Sequence, residues 1–271
     1  EETFGFVETS SYAKNRAQFT INKGYLVCRS SGHPPQFVGP FETPSLFELR
    51  QRLAAASIDT TGDAAAAAAT GGGGGLRFAH LPTPTGVQTL IADPAHAGAV
   101  FQAASQFNCL EMVGPGVSPR QGIAIYANDP TQGPKCAIAA PAATVFRNYL
   151  CGEGSAGQGE KQIDCLADVG AVVGNETHHY WSMQNGYALP CTSTAMGKLG
   201  ARLRDEAGLA ARAEESLRVG VHWETQVRPP KTHNVAQVFA SAVPVAYEKG
   251  TRSEDWESFA RLVLRAAYEA T

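Results

Sequence analysis

No stretch of the chain approaches the roughly 18 to 20 consecutive apolar residues that a bilayer-spanning helix needs, so the sequence reads as soluble. Positive charge is not in excess either: 22 Lys and Arg stand against 25 Asp and Glu, a formal net charge of -3. With a pI near 6.2 there is no global pull toward nucleic acid or anionic lipid. The six cysteines, Cys28, Cys109, Cys136, Cys151, Cys165 and Cys191, form no CxxC pair and no regular framework. In a chain of this size that spacing points to reduced thiols, and hence to the cytoplasm or another reducing compartment. The catalytic signatures GxSxG, Walker A and the kinase set are absent. The first residue is Glu1 and not Met, so a removed targeting peptide would leave no trace.

What is present is enough to build a core: 271 residues, 44% of them hydrophobic. Three regions are expected: an N-terminal extension packed on the core (1–57), a low-complexity flexible insertion (58–75) and an α/β ligand-binding domain (76–271). In the first, "FTINKGYLVCRS" predicts a hairpin turning at Asn-Lys-Gly, and "TPSLFELRQRLAAA" a capped helix with Leu46, Leu49 and Leu53 on one face. The second contains six alanines at 64–69 and five glycines at 71–75. It lacks the glycine offsets and Lys-Ser/Thr of a phosphate loop. In the third, "GVQTLIA" predicts a strand ending near Ala92, followed by an Asp-Pro turn. "RVGVHWETQV" and "NVAQVFASAVPVAY" are β-rich, and "DWESFARLVLRAAYEAT" places Trp256, Phe259, Ala260, Val263 and Ala267 on one helical stripe. Interleaved strands and helices imply a mixed central sheet flanked by helices, in three layers.

Three polar constellations interrupt this pattern. "FQAASQFNCLEM" (101–112) starts as a strand and then brings together Gln102, Ser105, Gln106, Asn108 and Glu111. At the carboxyl end of a strand such groups can meet a ligand: Asn108 suits a pair of ribose hydroxyls, and Glu111 can orient a hydroxyl or activate water. The same amides can equally satisfy loop backbone, leaving Glu111 solvated. "NDPTQGP" next sets Asp129, Thr131, Gln132 and Gly133 in a turn whose glycine permits close approach of a ligand. Arg147 then offers a forked cation for a diphosphate, Asn148 an amide and Tyr149 a stacking face. The alternative is an ordinary rigid loop leading into a helix. Third, His178 and His179 precede "YWSMQNGYALP", in which Tyr187 is a candidate aromatic wall. Adjacent histidines diverge on an extended backbone and fit no zinc spacing, so no metal is expected. "NET" at 175–177 matches a glycosylation acceptor pattern.

The Ala-Ser-Gln-Phe-Asn strand end, the glycine-containing loop and the Ala-rich segment after it resemble the macrodomain superfamily. "NVAQVFASAVPVAY" followed by "WESFARLVLRAAYEA" resembles that fold's late strand, ligand loop and closing helix, so the likeness spans residues 76–271. It implies ADP-ribose binding at the carboxyl edge of the sheet. Asn108 would face the ribose, Glu111 would be the candidate acid, and Ser241 and Ala242 would lie in the loop facing phosphate. Two departures stand out. The compact glycine run is replaced by "CLEMVGPGVSP", and the Gly-Gly-Gly and Gln-Glu-Glu signature of poly(ADP-ribose) glycohydrolases is missing.

The expected function is binding of ADP-ribose or a related nucleotide-diphosphate sugar, with hydrolysis at the ribose by Glu111 or Asp129 as its catalytic extension. No resident cofactor or metal is expected. Expected ligand contacts are Gln106, Asn108, Thr131, Gln132, Gly133, Arg147, Asn148, Tyr149, Tyr187 and Ser241. Two competing functions remain. One is a non-catalytic interaction subunit with a degenerate enzyme-like fold, meeting a protein assembly through its N-terminal extension. The other is a Cys- or carboxylate-dependent enzyme on another α/β fold, with Cys109 or Cys136 as nucleophile.

Overall fold

The Asn-Lys-Gly signal folds as expected. In the computed structural model, which describes residues 4–30, 34–59, 86–151, 156–241 and 253–271, a short helix α1 (Tyr12–Arg16) leads into β1 (Phe19–Asn22) and β2 (Tyr25–Cys28). Lys23 and Gly24 both have positive φ, 49° and 81°, as the tightest hairpin turns require. Strand β3 (Gln36–Phe37) adds to β2, and β4 (Phe41–Glu42) leaves this small sheet for the main one. Helix α2 (Leu46–Asp59) follows, with the Ser45 side chain and Glu48 exchanging hydrogen bonds with each other's backbone amides. Leu46 is buried and Leu49 packs against the core, but Leu53 is 70% exposed. Leu53 therefore stands off the core, and the expected three-leucine face is interrupted. The low-complexity insertion lies, from residue 60 onward, outside the described residues.

Residues 87–92, expected as a strand, form helix α3 (Val87–Ala92). A six-residue apolar run has too little length for its period to separate helix from buried strand, and here the helix wins. The Asp-Pro turn becomes a 3-10 turn, Pro94–His96, capped by the Asp93 side chain. Then come β5 (Val100–Ser105), α4 (Gln132–Ala139), α5 (Pro141–Val145) and a π-helical turn at Phe146–Leu150. Next are α6 (Ala167–Val173), α7 (Asn175–His178) and the hairpin β6 (Trp181–Gln184) and β7 (Tyr187–Pro190). Helices α8 (Ala195–Asp205) and α9 (Leu209–Ser216), strands β8 (Gly220–Gln226) and β9 (Asn234–Ser241), and helix α10 (Glu257–Ala270) complete the chain. Asn175 is engaged in full: its carbonyl oxygen accepts from Tyr180 and Trp181 amides and its NH2 donates to the Trp181 carbonyl. That structural role competes with any use as a glycan acceptor.

The fold is mixed α/β. Its main sheet runs β4-β8-β9-β5, antiparallel except for the parallel pair β5–β9. Register places Phe101 and Ala103 of β5, Gln237 and Phe239 of β9, and Gly220 and His222 of β8 on one face. Helices α4 and α5 and the π turn cover that face: Gln237 donates to the Cys136 carbonyl, and the Arg147 guanidinium lies 3.7 Å from the Phe239 ring centre. Helix α10 packs along β9, burying Phe259, Leu262, Val263, Ala266 and Ala267 behind Trp256. The N-terminal segment is no separate layer. Phe6, Tyr12, Phe19, Leu26 and Val38 share one apolar cluster with Leu110, Met112, Ile123, Tyr126 and Tyr149. Among the described residues no helix is long and apolar enough to cross a membrane.

Candidate ligand-binding site

Strand β5 delivers the polar segment to the carboxyl end of the parallel pair, where Ser105 stands beside Ser241 in register. Residues 106–112 then form a tight turn: the Gln106 amide donates to the Leu110 carbonyl and the Cys109 amide to the Gln106 carbonyl. Side chains lock it. The Gln106 carboxamide oxygen accepts from the Met112 amide (2.8 Å), and its NH2 donates to the Tyr187 hydroxyl (3.2 Å), which itself donates to the Met112 carbonyl (2.7 Å). Asn108 is buried, with its oxygen accepting from the Leu110 amide and its NH2 donating to Gln162, which continues the chain of amides to Asn185. The Asn185-Gly186 turn presses on it from the other side. The Phe107 amide donates to the Gly186 carbonyl, and a Cβ at Gly186 would lie 2.5 Å from the Asn108 carboxamide carbon. Glycine is the residue that fits there.

This arrangement departs from the expected role of Asn108: its side chain is fully buried and bonded to the Leu110 amide and Gln162, facing the turn and not an open rim. Tyr187, likewise, is a buried brace whose hydroxyl serves the turn. Glu111 and Arg147 are corrected in the same way. Arg147, fully buried, donates from Nη2 to Glu111 Oε1 (2.7 Å) and from Nε to the Cys109 carbonyl (2.8 Å). A guanidinium so placed is unavailable to a diphosphate. Burial pushes the Glu111 carboxyl up to about 7 against the opposing pull of Arg147. The Glu111 amide donates to the Tyr126 hydroxyl, and burial raises that phenol well above its ordinary value.

Around this pair the interior stays polar. Among the described residues, buried Arg147 Nη1 and Gln237 Oε1 meet no hydrogen-bond partner, and the buried His222 ring lies against the Ala143 and Val38 backbone. His222 and Gln237 are register partners on β8 and β9, and the His222 ring lies 6.2 Å from that of Phe239, on which Arg147 stacks. Burial, and then the Arg147 charge, drive the His222 imidazole well below its ordinary value, so it is neutral. Cys136 lines the same region, its thiol pushed up to about 12 by burial and by Glu111. A high thiol pKa opposes the nucleophile reading of Cys136, and Cys109 is raised well above the ordinary range as well, first by its hydrogen bond with Cys165 and then by burial.

The second expected constellation divides. Asp129 Oδ1 accepts from the amide (2.8 Å) and hydroxyl (2.6 Å) of Thr131, which closes a local turn. The Gln132 side chain docks on the free edge of β5, accepting from the Ala104 amide (2.8 Å) and donating to the Gln102 carbonyl (2.7 Å) as a neighbouring strand would. Gly133 does permit a close approach, but to the protein's own backbone: a Cβ there would lie 2.2 Å from the Ala104 carbonyl oxygen. Asn148 is buried, donating to the Pro119 carbonyl (3.4 Å). The Tyr149 ring packs between Phe19, Tyr12 and Phe6, and its hydroxyl donates to Glu8, so it offers no stacking face to a ligand. His178 stacks on Tyr180, and among the described residues no group of three or more His, Cys, Asp or Glu is placed to hold a metal.

Sequence reasoning missed His222, Gln237, Tyr126, Gln158 and Gln162. Alternation along "GVHWETQ" and "NVAQVFAS" was the available signal for the first two, because polar residues at inward positions of a buried strand must meet partners. Gln158 has no such signal, although its NH2 ties the Asn108 and Arg147 carbonyls together at 2.9 and 3.0 Å. At the rim of the β5–β9 end, Gln106 and Ser241 are half-buried and Thr131 and Gln132 exposed. No family model, curated protein or solved structure matches the chain.

Proposed function

We propose that the chain binds an ADP-ribose-type ligand, a nucleotide-diphosphate sugar, at the carboxyl end of the β5–β9 pair, in a macrodomain-like manner. The observation that carries this reading is the in-register ending of two adjacent parallel strands at Ser105 and Ser241, beside the first turn of α4. In open α/β sheets the crevice outside the carboxyl ends of parallel strands is where ligands bind. The contacts come from the rim, from Thr131 and Ser241 with backbone amides of the flanking turns toward phosphate, while the Gln106 and Gln132 side chains are spent on the turn and on the edge of β5. Asn108, Glu111 and Arg147 support the turn from behind. Binding without hydrolysis is the favoured form, because the Glu111 carboxylate is buried against Arg147 and Asp129 is held by Thr131.

Calorimetric titration and thermal unfolding with ADP-ribose test it. Ligand at ~100 times its dissociation constant adds about 2.7 kcal/mol, which raises Tm by several degrees. Ser241→Trp should abolish the shift while leaving the unliganded Tm within ~2 °C, as expected for a half-buried strand end. No heat and no shift at millimolar ADP-ribose overturns the ligand class.

A further inference from the structure

Of the six cysteines, Cys109 and Cys165 are 56 positions apart in sequence and meet in space: their sulfurs lie 3.6 Å from one another, both buried. The two segments are already tied together, since the Cys165 amide donates to the carbonyl of Phe107, two residues before Cys109, at 2.9 Å. Cys109 adopts a left-handed backbone, φ 61°, that few non-glycine residues take. Space for its sulfur depends on a glycine on the sheet: a Cβ at Gly220 would lie 2.5 Å from Cys109 Sγ. Neither Cys109 nor Cys165 is in a disulfide in the structure. Closing this contact to the ~2.05 Å of a disulfide takes a shift of ~1.5 Å, within reach of side-chain rotation where the two segments are already tied together.

We propose that Cys109 and Cys165 form an oxidation-dependent disulfide that staples the 106–112 turn to the segment leading into α6. The oxidant class is a small-molecule disulfide such as oxidised glutathione. One cysteine sulfur, deprotonated during a transient opening, attacks the oxidant and releases one thiolate, leaving a mixed disulfide. The second cysteine sulfur displaces the other half. Two electrons pass to the oxidant, one protein S–S bond replaces the oxidant's own, and the two cysteine protons end on the two released thiols. Burial makes the reaction slow, because attack awaits opening of the turn. Once closed, the bond bridges a long loop, which favours the folded chain. The pairing stands independently of which ligand the rim takes.

The full chain is incubated with oxidised glutathione or with dithiothreitol, then unfolded in N-ethylmaleimide, digested without reduction and analysed by mass spectrometry. A Cys109–Cys165 linked peptide is expected only in the oxidised sample, together with a rise in Tm on the order of 5 °C. Cys165→Ser should lose both the link and the Tm rise, and Cys109→Ala serves as the second variant should the first fold poorly. Recovery of both cysteines as alkylated thiols after oxidation, or linkage of either to a different cysteine, overturns the proposal.

Discussion

Glu111 makes the sharpest test of the buried network, because its titration links stability to pH with a definite sign. Its carboxyl stands at about 7 in the folded chain against an ordinary value of 4.5. Between those values the folded state binds more protons than the unfolded state, so the Glu111 contribution to stability is fully present below about 4.5 and is lost as pH rises through about 7. At about 1.36 kcal/mol per pH unit, the whole interval is worth about 3 kcal/mol, and the part falling between pH 5 and 8 about 2 kcal/mol. Glu111→Gln imitates the protonated acid: its amide oxygen can still accept from Arg147 Nη2, but it does not ionise. The expected outcome of urea unfolding at pH 5, 6, 7 and 8 is that the variant gains on the parent chain by about 2 kcal/mol over that range. His222 opposes this trend, since its depressed imidazole makes the fold less stable as acid protonates the unfolded chain. That term is common to both proteins, and the difference isolates Glu111. A difference that stays constant with pH, or a parent chain that gains on the variant as pH rises, refutes the argument. The second result would mean that attraction to Arg147 outweighs burial.

Two further substitutions test the packing that places the rim. Gly133→Ala should gain about 1 kcal/mol from helix propensity alone, yet the 2.2 Å approach to the Ala104 carbonyl makes a net loss of about 2 kcal/mol or more the expected result in urea unfolding. Gln132→Ala removes both side-chain hydrogen bonds to the edge of β5, so stability should fall by about 1 kcal/mol. Amide exchange at Ala104 should quicken while exchange at Val238, inside the sheet, stays as it was.

Much of the frame was legible because local chemistry and tertiary packing agree. Asn-Lys-Gly marks a hairpin through positive φ at Lys23 and Gly24, and the 257–270 stripe buries Phe259 and Val263 as its spacing requires. Legibility fails where length or context decides. "VQTLIA" is too short for period to discriminate, and Leu53 has the correct spacing but stands off the core. The polar segment at 101–112 was legible as a special place and illegible in its use. Sequence shows that Asn108, Glu111 and Arg147 are capable of meeting a ligand, but says nothing of whether Gln162 or the Leu110 amide reaches Asn108 first. Such competition is settled by residues far away in the chain, among them the Asn185-Gly186 turn, whose register against Asn108 no local pattern encodes.

The division between committed and uncommitted polar groups bears on how this edge of the sheet works. A turn of seven residues carrying two amides and a carboxylate would sample many shapes if those side chains sought solvent. Here Gln106 and Asn108 close on backbone groups of the same turn, and Arg147 joins Cys109 and Glu111 to the sheet through Phe239. Fixing the turn in advance reduces the ordering that a ligand must otherwise impose. If the edge binds the proposed ligand, selectivity falls to the few rim groups whose side chains are still open to solvent. Under the proposed function, changes at Asn108 or Arg147 therefore act through the shape of the turn, whereas changes at Ser241 act on contact with the ligand. The Cys109–Cys165 contact lies on the supporting side of that division, so under both proposals its oxidation would change how firmly the rim is held and not what the rim presents.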